Sequence, residues 1–127
     1  MLDAWVKQIA KELAMEDHIK VHEPGHFTLV FENEVKVDAF QKKDYSVLKS
    51  EIVNLPLKNT EALIEKVMET NLYTHGTRGS LIGLNADGNI LTLSMEVDNN
   101  ASYKDFFEKV EDFITVLEHW RKTAKAA

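Results

Sequence analysis

The sequence predicts an α+β domain, a twisted, mostly antiparallel sheet with helices packed against it in the order αβββαββα. Three observations carry this reading. Apolar residues recur at helical spacing in three separate stretches, around residues 2–13, 63–72 and 103–120. Between them lie segments that alternate apolar and polar residues, as strands with one buried face do. Short clusters of Gly, Pro, Asn, Asp and Lys divide those segments and supply the turns that antiparallel neighbours need.

Leu2, Trp5, Val6, Ile9, Ala10 and Leu13 recur at i, i+3, i+4, i+7, i+8 and i+11, an amphipathic helix whose wet side carries Lys7, Gln8, Lys11 and Glu12. It is expected to end near Asp17. A helix this short is marginal alone and must dock, so its apolar face is core or, in part, a surface kept for a partner. Pro24-Gly25 breaks the chain before a strand from Phe27 to Glu32, with Phe27, Leu29 and Phe31 on one face. A tight turn near Asn33 leads to a second strand, where Val35, Val37 and Ala39 alternate with Lys36 and Asp38. After the Lys42-Lys43-Asp44 turn, Tyr45 to Leu55 forms a third strand with weaker alternation, Leu48, Ile52 and Val53 being its candidates to point inward. Pro56 stops it, because proline cannot donate to a ladder. Three such strands in series form a meander.

The second helix opens at Asn59 or Thr60, either of which caps the first free N–H groups, and Glu61 lies near the positive end of its dipole. Leu63, Ile64, Val67, Met68 and Leu72 spread over roughly 180° at ~100° per residue, wider than the ~100° sector that one packed face needs. The surplus predicts a second contact, and a second copy of the chain is its simplest occupant. His75-Gly76-Thr77-Arg78-Gly79 follows as a loop, Ser80 to Leu84 as a short strand, and Asn85-Ala86-Asp87-Gly88-Asn89 as a turn. Ile90 to Val97 then places Leu91, Leu93, Met95 and Val97 on its inner face. Ser102 and Asp105 open the last helix as a variant capping box. Its stripe of Tyr103, Phe106, Phe107, Val110, Phe113, Ile114, Leu117 and Trp120 is the strongest in the chain, and aromatic stripes of this kind build cores.

Length indicates one domain over residues 1–127. A net charge of −6 argues against nucleic acid and against an anionic membrane surface, both of which need clustered Lys and Arg. No apolar run approaches the ~18 residues of a membrane span, and Asp3, Lys7, Lys11 and Glu12 interrupt anything resembling a secretory leader. The chain has no cysteine, so disulfides, thiolate chemistry and Cys-ligated zinc are excluded. A soluble, cytoplasmic protein is the expectation.

His18, His22 and His26 recur every four residues beside Glu16, Asp17 and Glu23. On a helix, such a pair of imidazoles could hold zinc. Pro24 and Gly25 prevent a helix from reaching His26, and in one extended segment successive histidines would stand roughly 13 Å apart. No metal site is therefore expected. The Asn85–Asn89 turn echoes a calcium loop, but its glycine is mis-spaced and no Glu closes the ligand set. Ser80 lacks a nucleophile elbow, Gly76 and Gly79 follow a helix rather than opening one, and Glu32, Glu34 and Asp38 read as solvated strand edge and turn. No catalytic residue and no cofactor are expected, so the chain is not read as an enzyme.

The block L-I-E-K-V-M-E-T-N-L-Y, then G-T-R-G, then L-I-G-L-N-A-D-G-N-I-L-T-L-S resembles the class I chaperones of bacterial type III secretion, the Tir-chaperone family. In element order the likeness continues to the last helix and its Trp120-Arg121. The resemblance implies a cytoplasmic bacterial homodimer with the second helix and the strands after it near the two-fold axis, so that Leu63, Ile64, Val67, Met68 and Leu72 form the interface. It also implies that the N-terminal segment of a secreted effector wraps around the dimer in extended form, without ATP, and stays soluble for the secretion ATPase or export apparatus. Ordering such a segment costs about 2–5 kcal/mol, which two sites on one dimer offset through effective concentration.

The first helix and the three strands after it form a small sheet with an edge, which can receive an extended peptide by strand addition. The expected contacts are the solvent-reachable parts of Leu2, Trp5 and Ile9, with Leu29, Phe31, Val35 and Val37. A sheet needs these same positions for its own core. An edge charged by Lys36 and Asp38 also serves simply to block aggregation. The alternative reading is an intracellular regulatory or stress-response module of similar α+β shape that binds a folded partner.

Overall fold

The computed structural model describes residues 1–32, 35–55, 60–73 and 79–126, with backbone alone at 60, 63, 70–73 and 124–126. The expected turn at Asn33, the Pro56 stop, the Asn59 and Thr60 caps and the loop from His75 to Arg78 lie outside the described residues. The elements run α1 (Leu2–Glu12), a 3-10 turn (Glu16–His18), β1 (Ile19–Glu23), β2 (His26–Val30), β3 (Lys36–Gln41), β4 (Tyr45–Asn54), α2 (Thr60–Tyr73), β5 (Leu81–Leu84), β6 (Ile90–Asp98) and α3 (Tyr103–Ala126). The strands form one sheet in the order β1-β2-β3-β4-β6-β5, and β1–β2, β2–β3, β3–β4 and β5–β6 pair antiparallel. The α+β class stands. The structure adds one strand to the expected order, β1, which is one edge of the sheet.

The chain divides into two compact units, Met1–Lys49 with Glu96–Glu111, and Ser50–Met95 with Asp112–Ala127. In the first unit α1 lies against β3 and buries Leu2, Trp5, Val6, Ile9 and Ala10, five of the six positions its periodicity selects; the sixth, Leu13, lies past the helix end and is exposed. Trp5 stacks on Phe106 with ring centroids 4.8 Å apart. The helix stops at Glu12 rather than near Asp17, because Ala14 takes a left-handed conformation, φ 52°, that no helix continues through. The Tyr103 hydroxyl donates to Glu12 Oε2 at 2.6 Å and ties the end of α1 to the start of α3. Burial, followed by that hydrogen bond and the carboxylate's charge, pushes the phenol above the ordinary tyrosine range. Ser102 caps α3 as its sequence position suggests, its Oγ accepting from the Asp105 N–H at 3.1 Å.

Asn99 holds the turn between β3 and β4. Its Nδ2 donates to the carbonyls of Lys42 (3.0 Å) and Lys43 (3.3 Å), while its Oδ1 accepts from the fully buried hydroxyl of Ser46 at 2.8 Å. Along β4, Ser46, Leu48, Ser50 and Ile52 all point inward. Two of these four are serines, which is why apolar alternation is faint there.

In the second unit α2 lies against β5. Ile52, Val67, Ile82, Leu91, Leu93, Met95, Phe113, Leu117 and Trp120 are buried. The β5–β6 turn is closed by Asn85, whose Oδ1 accepts the N–H groups of Asn89 and Ile90, both at 3.0 Å. Gly88 at φ 71° supplies the left-handed step. Arg121 reaches the Glu51 carbonyl at 2.9 Å and fastens α3 to β4 within this unit.

Candidate functional site

The first surface of interest is the open edge made by β1. An edge strand presents unpaired N–H and C=O groups on its outer side, a template for another extended chain. Lys20, Val21, His22 and Glu23 of β1 are all exposed. Val21 stands opposite Phe27 of β2, so both side chains lie on the same, core-facing side of the sheet. Phe27 is 7% exposed whereas Val21 is 65% exposed, an apolar side chain at the border of the core without cover among the described residues. Leu13, just past the end of α1, is also exposed. The charged strand expected at the edge is elsewhere: Lys36 and Asp38 belong to β3, an interior strand between β2 and β4.

The residues expected to contact a client are placed mainly inside the first unit. Leu2 and Ile9 are 0% exposed, Leu29 and Val37 1%, Val35 2% and Trp5 4%; Phe31 is half-buried. The helix face expected to keep a solvent-reachable part is therefore closed, its bulk taken up by packing such as the Trp5–Phe106 stack. Apart from Phe31, these residues are buried core of the first unit rather than an open groove.

On α2, Ile64 is half-buried, Val67 is 7% exposed and Met68 is 65% exposed, while the side chains of Leu63 and Leu72 lie outside the described residues. Leu81 and Leu84 of the adjacent β5 are also exposed. Met68, Leu81 and Leu84 thus leave apolar surface bare on the second unit, and the β5 pair is an addition that the sequence pattern did not single out. Leu81 and Leu84, three apart on one strand, face opposite sides of β5, so each adds apolar surface separately.

A polar cluster lies on the solvent side of β1, β2 and β3. The chain folds back at Pro24-Gly25, with Gly25 at φ 85°, so His22 and His26 meet across a hairpin with ring centroids 4.4 Å apart. Residues 21–23 form an irregularity in the β1–β2 register that places His22. Thr28 Oγ1 donates to Asp38 Oδ1 at 2.5 Å and lies 2.7 Å from His22 Nε2. A hydroxyl has one proton, so His22 Nε2 is the donor in that second contact. The His26 ring stacks on Phe40, and its Nε2 is buried without a hydrogen-bond partner, 3.8 Å from Asp38 Oδ1. One ligand atom from each of His22, His26 and Asp38 falls within 4.8 Å of the others. The expectation of distant histidines assumed a single extended run, and the hairpin overturns that assumption.

Among the described residues no helix is long and apolar enough to cross a membrane. The sequence profile of the Tir chaperone protein (CesT) family matches residues 5–121. A Chlamydia pneumoniae protein, CPj0713/CpB0740, is 28% identical over 122 residues, which covers 94% of this chain and 93% of that relative. The fold is similar to a chain of the ExsC–ExsE complex, with a TM-score of 0.74 at 11% identity over 97% of this chain and 92% of the other. It is also similar to the Yersinia pestis type III secretion chaperone SycH, solved with a fragment of YscM2, with a TM-score of 0.70 at 16% identity over 95% and 97% of the two chains. For the ExoU–SpcU complex of the Pseudomonas aeruginosa type III secretion system the TM-score is 0.69 at 13% identity, over 98% and 94%.

Proposed function

The chain belongs to the Tir chaperone protein (CesT) family, and from that premise we propose that it is a cytoplasmic type III secretion chaperone. It binds the N-terminal segment of one or more effectors in an extended, non-globular state and keeps that segment competent for export, with no chemical step of its own. The observation that carries this reading is the β1 edge, with Val21 65% exposed on the core-facing side of the sheet. A client strand laid along β1 would satisfy its outward backbone groups and cover Val21, so main-chain hydrogen bonds supply affinity and side-chain pockets supply selection. Leu2, Trp5, Ile9, Leu29, Val35 and Val37 contribute as packed core that keeps the sheet rigid, and half-buried Phe31 is the member of the set with side-chain surface left for a client.

The chaperone acts as a homodimer. The interface is assigned to the α2 stripe, Leu63, Ile64, Val67, Met68 and Leu72, with exposed Leu81 and Leu84 adding apolar surface on the two faces of β5; a two-fold interface requires such a surface to be self-complementary. Co-expression with the N-terminal segment of an effector encoded beside its gene tests both statements. A soluble complex of two chaperone chains to one effector segment is expected. Recovery of the chain alone, with the segment insoluble or separate, would count against the reading.

A further inference from the structure

We propose that His22, His26 and Asp38 form a binding site for a divalent transition-metal ion, zinc in the first instance. The three side chains come from three neighbouring strands, and their candidate ligand atoms already lie within 4.8 Å of one another. Around a tetrahedral zinc with bonds of about 2.0–2.2 Å, ligand atoms stand roughly 3.3–3.6 Å apart. Small rotations of exposed His22 and of the Asp38 carboxylate close the difference, with no change in strand register. His26 needs least adjustment: its ring is fixed against Phe40, with centroids 4.3 Å apart, and its buried Nε2 has no hydrogen-bond partner. A buried polar atom without a partner costs free energy, and coordination would supply one.

The donor set selects the ion. Two imidazoles and one carboxylate suit zinc and its first-row neighbours, whereas calcium and magnesium require shells of oxygen. Lys20 opposite Thr28 and Lys49 opposite Asp38 share the sheet face, so a hard cation held by charge alone would find no net attraction there. Thr28, already hydrogen-bonded to Asp38, would orient the carboxylate from outside the coordination shell. Water fills the remaining position. His22 Nε2 gives up its contact with Thr28 when it coordinates, and the proton it donated there moves to Nδ1 as the neutral ring changes tautomer. A bound ion would cross-link β1, β2 and β3 on the side of the sheet opposite Val21.

The test is isothermal titration of the tag-free chain with zinc sulfate, backed by cobalt(II) absorption. One ion per chain is expected, with cobalt bands typical of a four- or five-coordinate site. His26→Ala and Asp38→Asn should each weaken binding at least about tenfold, and His119→Ala should leave it unchanged. Circular dichroism and urea midpoints establish that the variants fold, and His22→Gln, altered at an exposed side chain, provides a third variant should His26→Ala unfold. No saturable binding, unchanged affinity in folded Asp38→Asn and His22→Gln, or loss of binding in His119→Ala would each overturn the proposal. The readout needs no client, so it stands or fails independently of the chaperone reading.

Discussion

Val21→Lys separates client binding from folding. The valine is 65% exposed in the chain alone, so roughly two-thirds of its burial energy is still to be gained. Complete burial of such a side chain stabilises by about 1.5–3 kcal/mol, which leaves on the order of 1–2 kcal/mol for a client strand to collect. That corresponds to about five- to thirtyfold in Kd. Lysine gives up this gain and adds an ammonium that the client must leave hydrated, so the loss should fall at the upper end of the range. The fold itself should hardly respond, because an exposed substitution of this type shifts stability by no more than about 0.5 kcal/mol. Fluorescence anisotropy of a labelled effector N-terminal peptide, titrated with each chain, measures the first effect, and urea unfolding measures the second. Val21→Glu serves as a control for attraction between the new charge and the peptide. Peptide affinity within about twofold of the parent in both folded variants would refute the assignment of the client to the β1 edge.

Asn99→Ala removes an acceptor from the buried Ser46 hydroxyl and two donors from the Lys42 and Lys43 carbonyls; a loss of about 2–3 kcal/mol is expected in urea unfolding. Ser46→Ala should cost less, and a double-mutant cycle should show coupling between the two. Independent, additive losses would contradict the hydrogen bond. Met68→Glu with Leu84→Glu places carboxylates on bare apolar surface, and should weaken self-association at least about tenfold in sedimentation equilibrium while the chain stays folded. A dimer of undiminished affinity would move the interface elsewhere. The folded Tyr103 phenol keeps its proton to higher pH than the unfolded one, so its contribution to stability is fully present below about pH 10 and fades as the pH rises further. Tyr103→Phe should flatten that alkaline decline in pH-stepped unfolding, and parallel declines in the two chains would show that the Glu12 contact is not its source.

Much of the fold was legible in the sequence because its buried faces are written in long periods. The stripe of α1 from Leu2 to Ala10 and the Leu91, Leu93, Met95 and Val97 alternation of β6 reappear as buried sets, whereas Leu13, past the end of α1, is exposed. The Ser102 cap is likewise where its sequence position suggests. β1 was not legible. Only Ile19 and Val21 alternate in it, between Lys20, His22 and Glu23, and an edge strand with little burial carries little hydrophobic signal. Without a visible β1 the pattern puts the edge at Lys36 and Asp38, and the spacing of His22 and His26 reads as a separation along a strand instead of across a hairpin. The client residues expected from alternation are buried for the same reason that they alternate, since a period of two marks a covered face without telling what covers it. Leu81 and Leu84 belong to a four-residue strand, too short for its outward apolar positions to be told from its inward ones.

The central claim, that two copies of this chain hold one unfolded export segment, is most directly tested by size-exclusion chromatography with light scattering on the chain co-expressed with an effector N-terminal segment. A single peak with the mass of two 14.5 kDa chains plus one segment is expected. A peak at 14.5 kDa with no segment bound would contradict it.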